Sequence, residues 1–266
     1  MLWLALHASA WALDSLPPNI QSVLLNIGSN LDPVLPPSED ESIAAIAFEP
    51  LVAAAIKPHP RLYVVPAAVS SSHGLAMMDV LNRHGVSSSL SKHVSKPFAR
   101  AAWATSSVPA RVVPVITMLD VLNSIPSSIS IMYLKTDMQG YDFNAVQSAG
   151  KALTRVPYVM TEVYLQNRST YANVSNDFCN DWLPHMLKIG YIPRSLSTYS
   201  GIVPHMDTAQ AQHYCANHKR ANVDLTDKYT LTEGDAIWVL KGTSAPAPCF
   251  NTQFISKLGT RTRVGC

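Results

Sequence analysis

The sequence predicts an α/β fold built on a mostly parallel central sheet, with helices on both faces and a late antiparallel strand. Three observations predict it. Short apolar runs alternate with longer small-residue or amphipathic stretches, the rhythm of strand, crossover helix, strand. The early runs end in residues suited to a loop: Ser22 to Gly28 (SVLLNIG) in a glycine, Ile43 to Pro50 (IAAIAFEP) in an acid and a proline, and Arg61 to Val69 (RLYVVPAAV) in the serine cluster Ser70 to Ser72. The first is apolar continuously, as in parallel strands covered on both faces.

These three runs supply the first strands. After His73-Gly74 the pattern changes, and Leu75 to Val80 and Arg111 to Thr117 (RVVPVIT) flank a polar stretch, Asn82 to Ser107, without periodicity. The two runs are expected to form an antiparallel excursion with a long insertion loop, and such a loop in a compact domain is a lid, a binding loop or disordered. The sheet resumes with Ile129 to Asp137 (ISIMYLKTD), a helix over about Tyr141 to Leu153, and Val156 to Tyr164 (VPYVMTEVY). Asp142, Ala145, Val146, Ala149 and Leu153 lie largely on one face of that helix, which suits packing on a sheet. Another helix is predicted over Asn176 to Lys188, with Gly190 as its stop. Gly190 to Pro193 begins a further strand, Asp235 to Lys241 (DAIWVLK) supplies the late one, and the stretch between reads as polar and irregular. The expected organisation is one domain over residues 1–242, with an N-terminal extension over about 1–20 and the insertion over about 82–107, then a C-terminal tail over 243–266.

With 266 residues and 47% hydrophobic content the chain can bury a full core. A net charge of +2 with 14% charged residues gives no extended field of one sign, so nucleic acid is not expected as a partner. Cys179, Cys215, Cys249 and Cys266 form no C-x-x-C, so no metal is expected; any two could pair as a disulfide, and spacing does not choose among them. No apolar run reaches the length of a transmembrane helix. Met1 to Leu13 (MLWLALHASAWAL) lacks a basic start and reads as a packed first element rather than a secretory leader, which favours the cytoplasm. The sequons Asn167-Arg168-Ser169 and Asn173-Val174-Ser175 keep the secretory route open. Nothing in the sequence fixes an oligomeric state.

In open parallel sheets ligands bind outside the carboxyl ends of the strands, and three such ends carry unusual residues. In Asn26-Ile27-Gly28-Ser29-Asn30 the glycine lets the backbone turn tightly and approach a ligand, although a plain turn also explains it. In Phe48-Glu49-Pro50 a carboxylate is placed to grip the vicinal hydroxyls of a ribose, and a helix-starting acid is the equally common explanation. From Leu134 through Lys135, Asp137, Gln139 and Gly140 to Asp142, an acid, an amide and a glycine share one turn, which turn chemistry alone explains less well.

Together with Ala47, Ala68-Val69-Ser70, Gly74, Val115 to Asp120 and Thr161-Glu162-Val163, these segments form an ordered set that resembles the FkbM family of methyltransferases over roughly residues 22–165. The resemblance implies a Rossmann-like class I methyltransferase fold, S-adenosyl-L-methionine as cofactor, and transfer of its methyl group to a hydroxyl of a sugar, glycan or small metabolite. It implies that Asn26, Gly28, Ser29 and Asn30 line the methionine and ribose part, that Glu49 holds the ribose hydroxyls, and that Ala68 lies near the adenine. Asp137 would face the methyl group and, with Glu162, would be catalytic, as general base or acceptor orienter. His84 and His93 in the insertion are reserves for that role. Two departures stand out: Asn26 occupies the place of the family's acid, and Asp32-Pro33 leads into Leu35 to Asp40 (LPPSED) where a helix would begin. The alternative reading is a non-catalytic Rossmann-like module that binds a ligand or partner. A nicotinamide dehydrogenase would also use Glu49, but G-x-G-x-x-G is absent, and no G-x-S-x-G elbow marks a serine hydrolase.

Overall fold

The computed structural model describes residues 16–51, 55–80, 88–92, 109–165, 171, 173–198, 201–203, 205–218, 233–244, 253–255 and 261–263. Its strands are β1 (Ser22–Ile27), β2 (Ile43–Phe48), β3 (Leu62–Val65), β4 (Ala68–Ser70), β5 (Gly74–Met78), β6 (Arg111–Thr117), β7 (Ser130–Thr136), β8 (Tyr158–Tyr164), β9 (Tyr191–Thr198), β10 (Gly201–Val203) and β11 (Glu233–Leu240), followed by a hairpin of β12 (Gln253–Ile255) and β13 (Arg261–Arg263). The main sheet has the order β10-β9-β11-β8-β7-β1-β2-β3. From β3 to β8 neighbouring strands are parallel, and β11 runs antiparallel to both β8 and β9. This is the predicted α/β sheet with its late antiparallel strand.

Strand parity divides the core. Val23, Leu25 and Ile27 of β1 point into the larger cluster, with Ile46, Leu134, Val159 and Trp238. Leu24 points the other way, with Ala45, Tyr133, Met160 and Val34. The buried apolar side chains of these helices all join the larger cluster: Met118, Val121 and Leu122 of α1 (Met118–Ser124), Phe143, Ala145 and Val146 of α2 (Asp142–Ser148), Leu183 and Met186 of α3 (Leu183–Lys188), and Ala211 and Cys215 of α4 (Thr208–His218). On the opposite face, among the described residues, the cover comes from Val34 in the connection between β1 and β2, which contains no helix.

Other elements also differ from expectation. The run Arg61 to Val69 is two strands rather than one. Pro66 has no N–H to continue the ladder; the Ala67 N–H turns back to Val65 O at 2.9 Å, and the chain leaves the main sheet for a smaller one, β4-β6-β5. There β5 pairs antiparallel with β6, as the sequence indicates. The helix expected over Tyr141 to Leu153 is α2 followed by a 3₁₀ segment, Gly150–Arg155, with the break at Gly150 (φ +52°). The helix expected over Asn176 to Lys188 opens as a π turn, Phe178–Trp182, before α3. Finally, α4 lies inside the stretch that reads as irregular. Asp207 and Gln210 cap it reciprocally, each accepting the other's backbone N–H at 2.8 Å.

Around β8 and β11 the core is aromatic. Trp238 stacks near Phe178 and Trp182, with ring centroids 5.5 and 6.3 Å away. Its indole N–H is satisfied by Thr161 Oγ1 at 3.0 Å. Cys179 and Cys215 form a disulfide that ties the π turn to α4 across a separation of 36 residues. Chain-entropy arguments assign such a link about 3–4 kcal/mol.

Candidate functional site

Three turns meet at the carboxyl ends of β1, β2 and β7. The Gly28 N–H donates to Phe48 O and the Asp137 N–H to Ile27 O, both at 2.9 Å, so the ladder runs one step past the strands. Gly28 has φ +71°, and a Cβ there would sit 2.2 Å from the carbonyl oxygen of Asp137. Only glycine lets these two turns close so far. Buried Glu49 anchors the third turn: Oε2 accepts the Asn30 N–H at 2.8 Å and Oε1 accepts the Leu51 N–H at 2.9 Å. Each carboxylate oxygen keeps lone-pair capacity for a further donor.

The turns enclose a cleft of about 710 Å³, counting the part open to solvent. Gly28, Asn30, Glu49, Ala68 and Asp137 all line it, so three strand ends and β4 converge as the sequence reading requires. Ser88 and Leu90 of the insertion line it too. Oδ1 of Asn30 and Oγ of Ser88 are buried and make no hydrogen bond among the described residues. Buried polar atoms are normally satisfied, and these two belong to residues that line the cleft.

Three expected residues do not line the cleft. Asn26 is fully buried and shares the parity of Leu24; its Nδ2 donates to Val34 O at 3.1 Å and its Oδ1 accepts the Val34 N–H at 2.7 Å. Its amide is occupied in pinning the β1–β2 connection, so the structure corrects its expected place beside a ligand. Ser29 is buried, and its Oγ makes no hydrogen bond among the described residues. Glu162 reaches the site indirectly. His84 and His93 lie outside the described residues.

The link to Glu162 is Gln139, which sequence reasoning quoted in its turn but assigned no role. Gln139 lines the cleft, and its Nε2 donates to Asp137 Oδ1 at 3.0 Å and to Glu162 Oε1 at 3.3 Å. Its Oε1 accepts from the Tyr171 hydroxyl at 2.9 Å, and its backbone carbonyl accepts from Ser89 Oγ at 2.9 Å. With φ +55° it sits in the left-handed region beside Gly140, so the turn is held from four sides. The signal available in sequence was an amide two residues from an acid in a strand-end turn. Asp120, another motif residue, instead closes the N-terminus of α1: it accepts from the Thr117 N–H at 3.1 Å and pairs with His73.

Around Asp137 the field is acidic. Burial, then Asp137, raises the carboxyl of Asp142 to about 7, against the opposing Met138 N–H. Burial and Asp137 also bring Asp235 to about 7, against the pull of Lys135. Burial, then Asp137, holds Glu162 well above the usual range. Lys135, whose Nζ is 3.5 Å from Asp137 Oδ2, is disfavoured as a cation by burial, but Asp137 and Asp235 outweigh this and raise its pKa.

These shifts predict a stability slope. An acid raised from about 4 in the unfolded chain to about 7 in the fold retains its proton only when folded between those values. Its contribution is therefore complete below about pH 4 and is lost as pH rises to about 7. Urea midpoints should fall from pH 5 to pH 8, and Asp142→Asn should flatten part of the fall. A flat or rising profile would show that these acids ionise normally in the fold.

A mostly parallel sheet of this order, with a carboxylate at the end of its second strand and an acid-amide-glycine turn after the strand beside β1, defines a Rossmann-like α/β fold with its candidate site at the strand ends. The chain belongs to the FkbM methyltransferase family, since residues 26–193 match the methyltransferase FkbM domain. No curated protein and no solved structure matches it. Among the described residues, no helix is long and apolar enough to cross a membrane.

Proposed function

We propose that the chain transfers a methyl group from S-adenosylmethionine to a hydroxyl of a sugar, glycan or small metabolite. The observation that carries this reading is the single cleft in which Gly28, Glu49 and Asp137 converge beside two polar atoms that have no partner among the described residues. Glu49 is fixed by backbone donors and still able to accept two ribose hydroxyls. Asn30 Oδ1 and Ser88 Oγ supply further polar partners, and Ala68 leaves room for a flat base.

When bound, S-adenosylmethionine supplies an electrophilic methyl carbon on a sulfonium. The residues have to align the acceptor oxygen and remove its proton. Asp137 suits both tasks: it lines the cleft, and its side chain is 37% exposed, so an acceptor can reach it. Gln139 is a positioning residue that holds Asp137 Oδ1 and leaves Oδ2 to face Lys135 and the acceptor. Glu162 sits behind Gln139 and acts through it.

Titration calorimetry of the whole chain should give heat with S-adenosylmethionine and S-adenosylhomocysteine and none with NAD. Glu49→Ala should weaken both sulfur nucleotides at least about tenfold, roughly 1.4 kcal/mol, with a smaller effect on the thermal midpoint. Silence with both nucleotides at saturating concentration ends this reading and leaves the non-catalytic module.

A further inference from the structure

We propose that Asn173 is an N-glycan acceptor, on a chain that folds in an oxidising, secretory compartment. Two independent observations carry this. The first is the Cys179–Cys215 disulfide, whose Cα atoms are 5.4 Å apart, inside the range that bridged cysteines occupy. It joins no C-x-x-C, and Cys215 is buried in the main core, so it is a structural link rather than an exchanging redox pair. Structural disulfides form and persist in secretory and extracellular compartments and are rare in the cytosol. The bond thus argues against the cytoplasmic placement that the apolar N-terminal run favours.

The second observation is the setting of the sequon Asn173-Val174-Ser175. Asn173 and Ser175 are both exposed, and Asn173 lies in a turn at φ +58°. A left-handed turn explains an asparagine at 173 on its own; it does not explain the disulfide, which places the sequon where acceptors are used. The segment is pinned on either side. Tyr171 is buried and bonded to Gln139, while Asn176 is buried, donates to Glu162 O at 3.2 Å and accepts from the Trp182 indole N–H at 2.9 Å. An exposed acceptor between two buried anchors carries a glycan without disturbing the core.

The modification forms a bond from Asn173 Nδ2 to the anomeric carbon of a lipid diphosphate-linked oligosaccharide. The bond from that carbon to the diphosphate oxygen breaks, and the Nδ2 proton passes to solvent. The glycan then stands two residues from Tyr171, beside the Gln139 side of the cleft.

The test is non-reducing peptide mapping of the natural protein from the cells that make it, before and after an amidase that releases N-glycans. The expected map shows Asn173 converted to Asp by the amidase and the Cys179 and Cys215 peptides joined. Re-expressed in those cells, Asn173→Gln and Ser175→Ala, the latter keeping Asn173, should each lose one glycan step in gel mobility. Unmodified Asn173 in a chain whose disulfide has formed overturns the proposal, as do free thiols at Cys179 and Cys215. None of these readouts depends on methyl transfer, so failure here leaves the enzymatic reading standing, and the reverse.

Discussion

Asp137→Asn is expected to turn over about 10²–10⁴-fold more slowly than the parent while S-adenosylmethionine affinity stays within about threefold. The substitution keeps the Oδ1 acceptor that Gln139 holds at 3.0 Å, so the turn stays in place, and it removes the negative charge that would take a proton from the acceptor. Single-turnover kinetics alongside calorimetry separate the two quantities. The variant carries a second signature. Asp137 is a cause of the raised values at Asp142, Asp235 and Glu162, so removing its charge lowers all three and shrinks the fall in stability between pH 5 and pH 8. Unchanged turnover with a smaller pH slope would make Asp137 an electrostatic neighbour and not a base.

Gly28→Ala is expected to destabilise the fold by about 3 kcal/mol or more and to abolish cofactor binding in whatever remains folded. Two effects add. At φ +71° an L side chain costs roughly 1–2 kcal/mol. The added Cβ also meets Asp137 O at 2.2 Å and Asp137 C at 2.9 Å, both backbone atoms that can move only by parting the turns after β1 and β7. Gly242→Ala is the control: φ is +85° there but nothing lies within 4 Å of the added Cβ, so it reports strain without collision. Urea denaturation of the two variants should differ by the collision alone. Equal losses would mean that the turns separate freely and that the cleft does not depend on their closure.

The parts of the site legible in sequence were those at strand ends. Gly28, Glu49 and Asp137 each follow an apolar run, and the parallel sheet brings such positions together whatever the loops do. Asn26 was misplaced because its role depends on parity: one residue before Ile27, it faces the side where Val34 lies, and no property of an asparagine says which side holds a ligand. Gln139 was visible but mute, since its link to Glu162 joins residues 23 apart through two turns and emerges only when β7 and β8 lie side by side. The switch at Pro66 was available from proline chemistry, yet the alanines after it continue an apolar run that conceals the break. Helix α4 escaped because its buried residues, Ala211 and Cys215, make too thin a stripe to register against a polar surface.

The passage from β1 to β2 without a helix bears on which nucleotides the cleft admits. Dinucleotide sites place a pyrophosphate against the first turn of a helix, where free amides and the positive end of the helix dipole meet its charge. Here two amides of the corresponding turn serve the protein itself: that of Asn30 is taken by Glu49 and that of Val34 by Asn26. A phosphorylated ligand would bring anionic oxygens toward Glu49 and Asp137 with no helix dipole to compensate and with Lys135 already paired to Asp137, whereas a nucleoside bearing a positive sulfur centre would find the carboxylate charge favourable.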